Sequence, residues 1–229
     1  MIVMRMFALL LITAFVFAGC SGRHAANDTN NGAAGVTNAG SDTANETADA
    51  DDDGTEANQP ALTEEEQVKS AATAVVTALK RKDAATLAEL IHPVKGLRFS
   101  PYAHIDADNG IVFQADAPPA FDDDTVYEWG VHDGSGEPIE LAFADYYDKF
   151  VYDRNFAEAE TIGYNELLGK GNLIANVGDA FPDGRFVDYH FAGFDPQYDG
   201  QDWESLIVVL EQSDGVWYAT AIVHSQWTI

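Results

Sequence analysis

Three stretches near the C-terminus decide the fold: RFVDYHFAGF (residues 185–194), WESLIVVLEQ (203–212) and VWYATAIVHSQW (216–227). Each is rich in β-branched and aromatic residues, which fit a pleated, half-buried surface. Gln212-Ser213-Asp214-Gly215 separates the second and third stretches and carries the chemistry of a tight hairpin turn. Asp195 to Asp202 links the first pair. Together they predict an antiparallel meander of three strands.

Working back from the meander, Thr63-Glu64-Glu65-Glu66 opens a helix. Thr63 can cap it, Glu66 completes the capping pattern, and acidic residues suit a first turn. Val68, Ala71, Ala72, Val75, Val76 and Leu79 then recur at helical spacing. Asp83 starts a second, short helix that runs to Ile91. His92-Pro93 stops it, because the residue before proline avoids helical geometry. Strands are expected over 97–105, 111–114 and 125–131, and Leu141 to Val151 reads as a third helix. Glu158 to Leu168 fits strand better than helix.

The N-terminus reads as an address. Arg5 precedes an apolar run from Phe7 to Ala18, broken only by Thr13 and too short to span a bilayer comfortably. Phe17-Ala18-Gly19-Cys20 resembles the bacterial lipobox, in which small residues precede a cysteine that receives a diacylglyceryl group. Cys20 is the only cysteine in the chain, which excludes an intrachain disulfide and any multi-thiolate metal site. The expected organisation is a lipoprotein signal peptide (1–19), a lipidated Cys20 with a disordered acidic tether (20–60) and one globular domain (61–229). Residues 21–60 hold almost no large apolar side chain and cannot offset their own chain entropy. Forty such residues reach roughly 35 Å. The expected location is the bacterial cell envelope, held outside the cytoplasmic membrane by lipid.

The 229 residues carry 12 basic and 38 acidic side chains, a net charge of −26. The acidity is not confined to the tether: residues 61–229 hold 10 basic and 30 acidic side chains, net −20. Nucleic acid is thereby excluded as a partner, because a phosphate backbone needs a basic surface.

The helix pair at 64–91 and the meander at 185–227 resemble the nuclear-transport-factor-2-like (NTF2-like) superfamily, which includes ketosteroid-isomerase-like and polyketide-cyclase-like domains. The resemblance implies an α+β cone: N-terminal helices packed on a curved antiparallel sheet that ends in the three-stranded meander. Such a cone implies a pocket, and many members do no chemistry. Isomerase-like members use an Asp base with Tyr and a protonated Asp, but no spacing assigns those roles here. The segments 92–102 and 224–229 also resemble those of uncharacterised bacterial lipoproteins. That likeness implies a shared fold and no particular activity.

Candidate chemistry centres on two histidines. Alternation puts Asp188 and His190 on one face of their strand, opposite Val187, Tyr189 and Phe191. On the last strand His224 shares a face with Tyr218, Thr220, Ile222 and Gln226 on the same count. His190 and His224 could then face each other, as an acid/base or metal pair supported by Asp188. The competing reading is a polar sheet face or satisfied structural histidines. It is preferred, because no third ligand and no nucleophile is placed. No metal or cofactor is expected. Tyr127, Trp129 and Tyr147, with His190 and His224, are candidates for lining a ligand pocket, although such aromatics are more often core. Asp122-Asp123-Asp124 reads as a solvated loop rather than a cation site. The chain is therefore expected to be an anchored binding module for a small molecule or an envelope protein. The alternatives are an envelope hydrolase or isomerase using His190 and His224, and a structural envelope module.

Overall fold

The computed structural model describes residues 61–171 and 174–228, all within one compact unit. The signal, Cys20 and tether expectations lie outside the described residues.

Helix α1 (Glu64–Lys80) begins as its sequence dictates. The Glu66 amide donates to the Thr63 hydroxyl, and the Thr63 amide donates to the Glu66 carboxylate at 2.8 Å. This reciprocal cap satisfies two of the amides that a helix start leaves orphaned. Val68, Ala72, Val75, Val76 and Leu79 form the buried stripe. Helix α2 (Ala84–Leu90) is capped by Asp83, whose carboxylate accepts from the Thr86 amide at 3.0 Å.

The strands are β1 (Leu97–Ser100), β2 (Val112–Phe113), β3 (Val126–Val131), β4 (Pro138–Ala142), β5 (Thr161–Tyr164), β6 (Arg185–Phe191), β7 (Glu204–Ser213) and β8 (Val216–Gln226). Helix α3 (Phe143–Phe150) follows β4, and a one-turn helix α4 (Val177–Ala180) precedes β6. Six strands form one sheet in the order β2-β1-β8-β7-β6-β5. All its pairs are antiparallel except β1 with β8. β3 and β4 form a separate hairpin. The result is the expected α+β fold, with helices on a curved antiparallel sheet that closes in the β6-β7-β8 meander. At the β7–β8 turn, Asp214 and Gly215 both have positive φ, 51° and 80°. Two consecutive positive values define the turn that matches strand twist in a two-residue hairpin.

Both faces of the sheet are covered. The inner face carries Val187, Tyr189, Leu206, Val208, Leu210 and Ile222 against the helices. The outer face carries Ile207, Val209, Ala221 and Val223 against Ala103, Ile105 and Val177. Two-sided burial explains why residues 206–210 run apolar without alternation.

Several boundaries differ from expectation. The strand expected over 97–105 ends at Ser100, since Pro101 has no amide to continue a ladder. Leu141, expected in a helix, sits in β4 opposite Tyr127, and the helix starts two residues later. The strand within 158–168 is only Thr161–Tyr164.

Candidate functional site

The register separates the two histidines. Tyr189, Leu206 and His224 are paired across β6, β7 and β8 and share the inner face. His190, Ser205 and Ser225 are paired one step away and share the outer face. His190 and His224 therefore lie on opposite faces, and the paired-histidine geometry is corrected. A bulge also corrects the face of β8. The register shifts between Val209 and Leu210, so that Ala219 and Ala221 are partners of adjacent residues. Thr220 is the extra residue. Its insertion reverses parity, and His224 shares a face with Ile222 and Gln226 but not with Tyr218.

Each histidine has a local partner. His190 is 9 % exposed, and its Nδ1 lies 2.8 Å from Ser205 Oγ. Burial holds its pKa below the usual value. Asp188, beside it on the outer face, accepts the Leu168 amide on Oδ2 at 2.8 Å, while Oδ1 has no hydrogen-bond partner. Burial pushes the Asp188 pKa up to about 6, against the opposing pull of the Leu168, Ser205 and Gly169 donors. The segment 165–171 straps this cluster. Trp203 Nε1 donates to the Lys170 carbonyl at 3.1 Å, and the Asn165 carboxamide oxygen accepts the Phe186 amide at 2.9 Å. Ser205 Oγ belongs to a fully buried residue, so the Asp-Ser-His order here holds a strap to a sheet and presents no nucleophile. His224, fully buried on the inner face, places Nε2 at 3.3 Å from Asp153 Oδ2 and its ring against the edge of Phe150.

The proposed pocket aromatics do not converge on one cavity either. Trp129 stacks on Tyr146 with ring centroids 3.8 Å apart, and its Nε1 donates to the Leu141 carbonyl. Phe99, Phe113 and Phe143 pack round it. Tyr147 is buried and donates to the Leu79 carbonyl at 2.7 Å. Tyr127, half-buried, donates to Asp123 at 2.8 Å. The space between helices and sheet is thus filled by aromatic rings.

Open space lies elsewhere. A groove of about 1120 Å³ runs between residues 98–110 and residues 128–136, with Trp129, Tyr102, His104, His132 and Asp133 in its walls. The Tyr102 hydroxyl accepts the Asp133 amide at 3.3 Å, which ties the two walls together. His132 is half-buried with its ring 6.4 Å from Phe150. A second cavity of about 320 Å³ lies on the outer face of the sheet, with Lys95, Arg98, Glu211 and Thr220 in its lining. Among the described residues no three His, Cys, Asp or Glu side chains gather as a metal site.

Sequence reasoning missed Asp153, Ser205, Glu211 and Lys95. Ser205 and Glu211 did leave a signal: each is a polar residue flanking a buried apolar run. Asp153 and Lys95 sit in connecting segments and had none.

No protein-family model matches the chain, and no curated protein matches it. Among the solved structures that resemble it, two are NTF2-like by name. One is a Streptomyces avermitilis protein of the NTF2-like family, provisionally named a dehydratase. It is 17% identical, with coverage of 72% of this chain and 97% of its own, at a TM-score of 0.27. The other is a chain named Rd1NTF2_05. It is 11% identical, with coverage of 68% of this chain and 93% of its own, at a TM-score of 0.26. At this identity and TM-score neither passes a residue role or an activity to this chain.

Proposed function

We propose that this chain is a lipid-anchored bacterial envelope protein whose α+β domain is a non-catalytic binding module. The groove beside Trp129 is the site that takes its small ligand or protein partner. The groove itself carries this reading: about 1120 Å³ of space with mixed aromatic and polar walls, next to the stacked rings of Trp129 and Tyr146. Ligand sites are concave, and they mix apolar walls with a few polar groups. The enzyme alternative needs His190 and His224 together, and the register keeps them on opposite faces. The anchor rests on the sequence alone, on Ala18-Gly19-Cys20 after an apolar run. Two acyl chains hold a protein stably on a bilayer where one does not.

One experiment tests both halves. Cells expressing the full chain are labelled with an alkyne palmitate, and the purified protein is screened by thermal shift against envelope sugars and peptidoglycan stem peptides. Label on wild type and none on Cys20→Ala supports the anchor; equal label on both refutes it. A saturable shift abolished by Asp133→Trp, at the exposed groove rim, supports the groove. A shift that survives this blocked groove refutes the groove as the site, and no shift with any probe favours the structural envelope module.

A further inference from the structure

The outer-face cavity is independent of the groove, sharing with it only the wall formed by Arg98, Ile105 and Ala107. Its floor is created by the β8 bulge. The extra residue Thr220 and the residue Glu211 of β7 both line it, where an unbulged pair would continue the alternation. Phe181 and Val112 supply apolar walls.

Four charged side chains line this space: Lys95, Arg98, Asp183 and Glu211. They balance, in a domain whose net charge is −20. Glu211 is only 4 % exposed. Its Oε1 accepts from Lys95 Nζ at 2.6 Å, and its Oε2 has no hydrogen-bond partner. A buried carboxylate oxygen left unpaired is costly, and native structures keep such groups for a reason. Lys95 is itself placed rather than free. His92, 5 % exposed, accepts the Val94 and Lys95 amides on Nδ1 at 3.2 and 3.0 Å, which fixes the turn that carries the lysine. Arg98 is fixed too: its guanidinium donates to the Asp106 and Ala107 carbonyls at 3.1 and 2.9 Å.

We propose that this cavity binds a free α-amino acid with an apolar side chain. The adjacent ammonium and carboxylate of Lys95 and Glu211 are complementary to an ammonium and a carboxylate carried on one carbon, set head to tail. The ligand ammonium meets Glu211 and Asp183, and its carboxylate meets Lys95. The apolar side chain lies against Phe181 and Val112. A balanced charge set favours a zwitterion over simple cations and simple anions, because each of those meets only one of the two signs of charge in the lining. The cavity volume of about 320 Å³ suits a small ligand of this class.

The test is calorimetric titration of the full chain, in detergent micelles, with L-leucine. The controls are isoamylamine, which lacks the carboxylate, and 4-methylpentanoate, which lacks the ammonium. The expected result is saturable leucine binding, with each analogue weaker by roughly tenfold or more, the loss of one charge-assisted contact. Glu211→Gln should weaken leucine binding by a similar factor. If that variant fails to fold, Lys95→Met, at a half-exposed position, carries the same expectation. Absence of leucine binding at millimolar concentration overturns the proposal. So does isoamylamine binding as tightly as leucine, or leucine binding unchanged in Lys95→Met. None of these outcomes bears on the groove beside Trp129.

Discussion

Asp188 should make this domain gain stability as pH falls through the range where most proteins begin to lose it. Its carboxyl is 1 % exposed and titrates near pH 6, against 3.8 for an ordinary Asp. Between those two values the folded state holds a proton that the unfolded state has released. By linkage, stability then rises as pH falls from above 6 to below 4. A shift of about 2 pH units is worth about 3 kcal/mol. At neutral pH this is the cost of keeping a buried carboxylate ionised with Oδ1 unpaired.

Other groups oppose this trend. Asp83, Asp106 and Asp123 are held below their ordinary pKa by hydrogen bonds, so their stabilising contributions are lost as pH falls. His190, in the same cluster, has a lowered pKa through burial and also disfavours acid. The readout is therefore the difference between wild type and Asp188→Asn, measured by urea unfolding at a series of pH values from 4 to 8. Asparagine keeps a carbonyl oxygen for the Leu168 amide and carries no charge. The variant should match or exceed wild type above pH 7, and the difference should move in favour of wild type by about 2 kcal/mol on going to pH 4. Two pH profiles that run parallel would refute the reasoning, since Asp188 would then titrate alike in the folded and unfolded chains.

Two further outcomes follow from the same sheet. His190 and His224 occupy strands two apart, on opposite faces and with separate partners, so the stability losses of His190→Ala and His224→Ala should add within about 0.5 kcal/mol in a double-mutant cycle. A coupling above about 1 kcal/mol, or stoichiometric zinc binding that needs both residues, would reinstate them as one site. Gly169 lies where a Cβ would collide with the Trp203 ring, so Gly169→Ala should cost about 1–3 kcal/mol and raise proteolysis within residues 165–171. Unchanged stability would mean the strap is not pressed on Trp203.

The legible parts of this fold were those whose signals are local. The Thr63–Glu66 cap, the apolar spacing from Val68 to Leu79 and the Asp214-Gly215 turn each lie within a few residues, and each appears in the structure where it was read. Leu141 shows the limit. It fits a helical stripe and a strand equally well, and only its pairing with Tyr127 on β3 decides between them. Parity along β8 shows it more sharply. Counting by twos from Tyr218 to His224 is sound until one inserted residue reverses it, and nothing in Ala219-Thr220-Ala221 marks the insertion.

That single residue also connects the fold to its candidate sites. Without the bulge at Thr220, the parity of β8 would carry Tyr218 and His224 on one face, as first counted. With it, His224 turns inward to Asp153, leaving His190 with Ser205 and Asp188 under the strap on the other side. The same insertion sets Thr220 beside Glu211 in the outer cavity. Bulges re-aim side chains at the expense of a locally broken ladder, and here the re-aiming separates two histidines and assembles a charged cavity in one step. Function in this domain is therefore to be sought in the groove beside Trp129 and in the cavity at the bulge, where polar groups meet open space. The filled interior, which the cone would otherwise suggest, offers aromatic rings already in contact with one another.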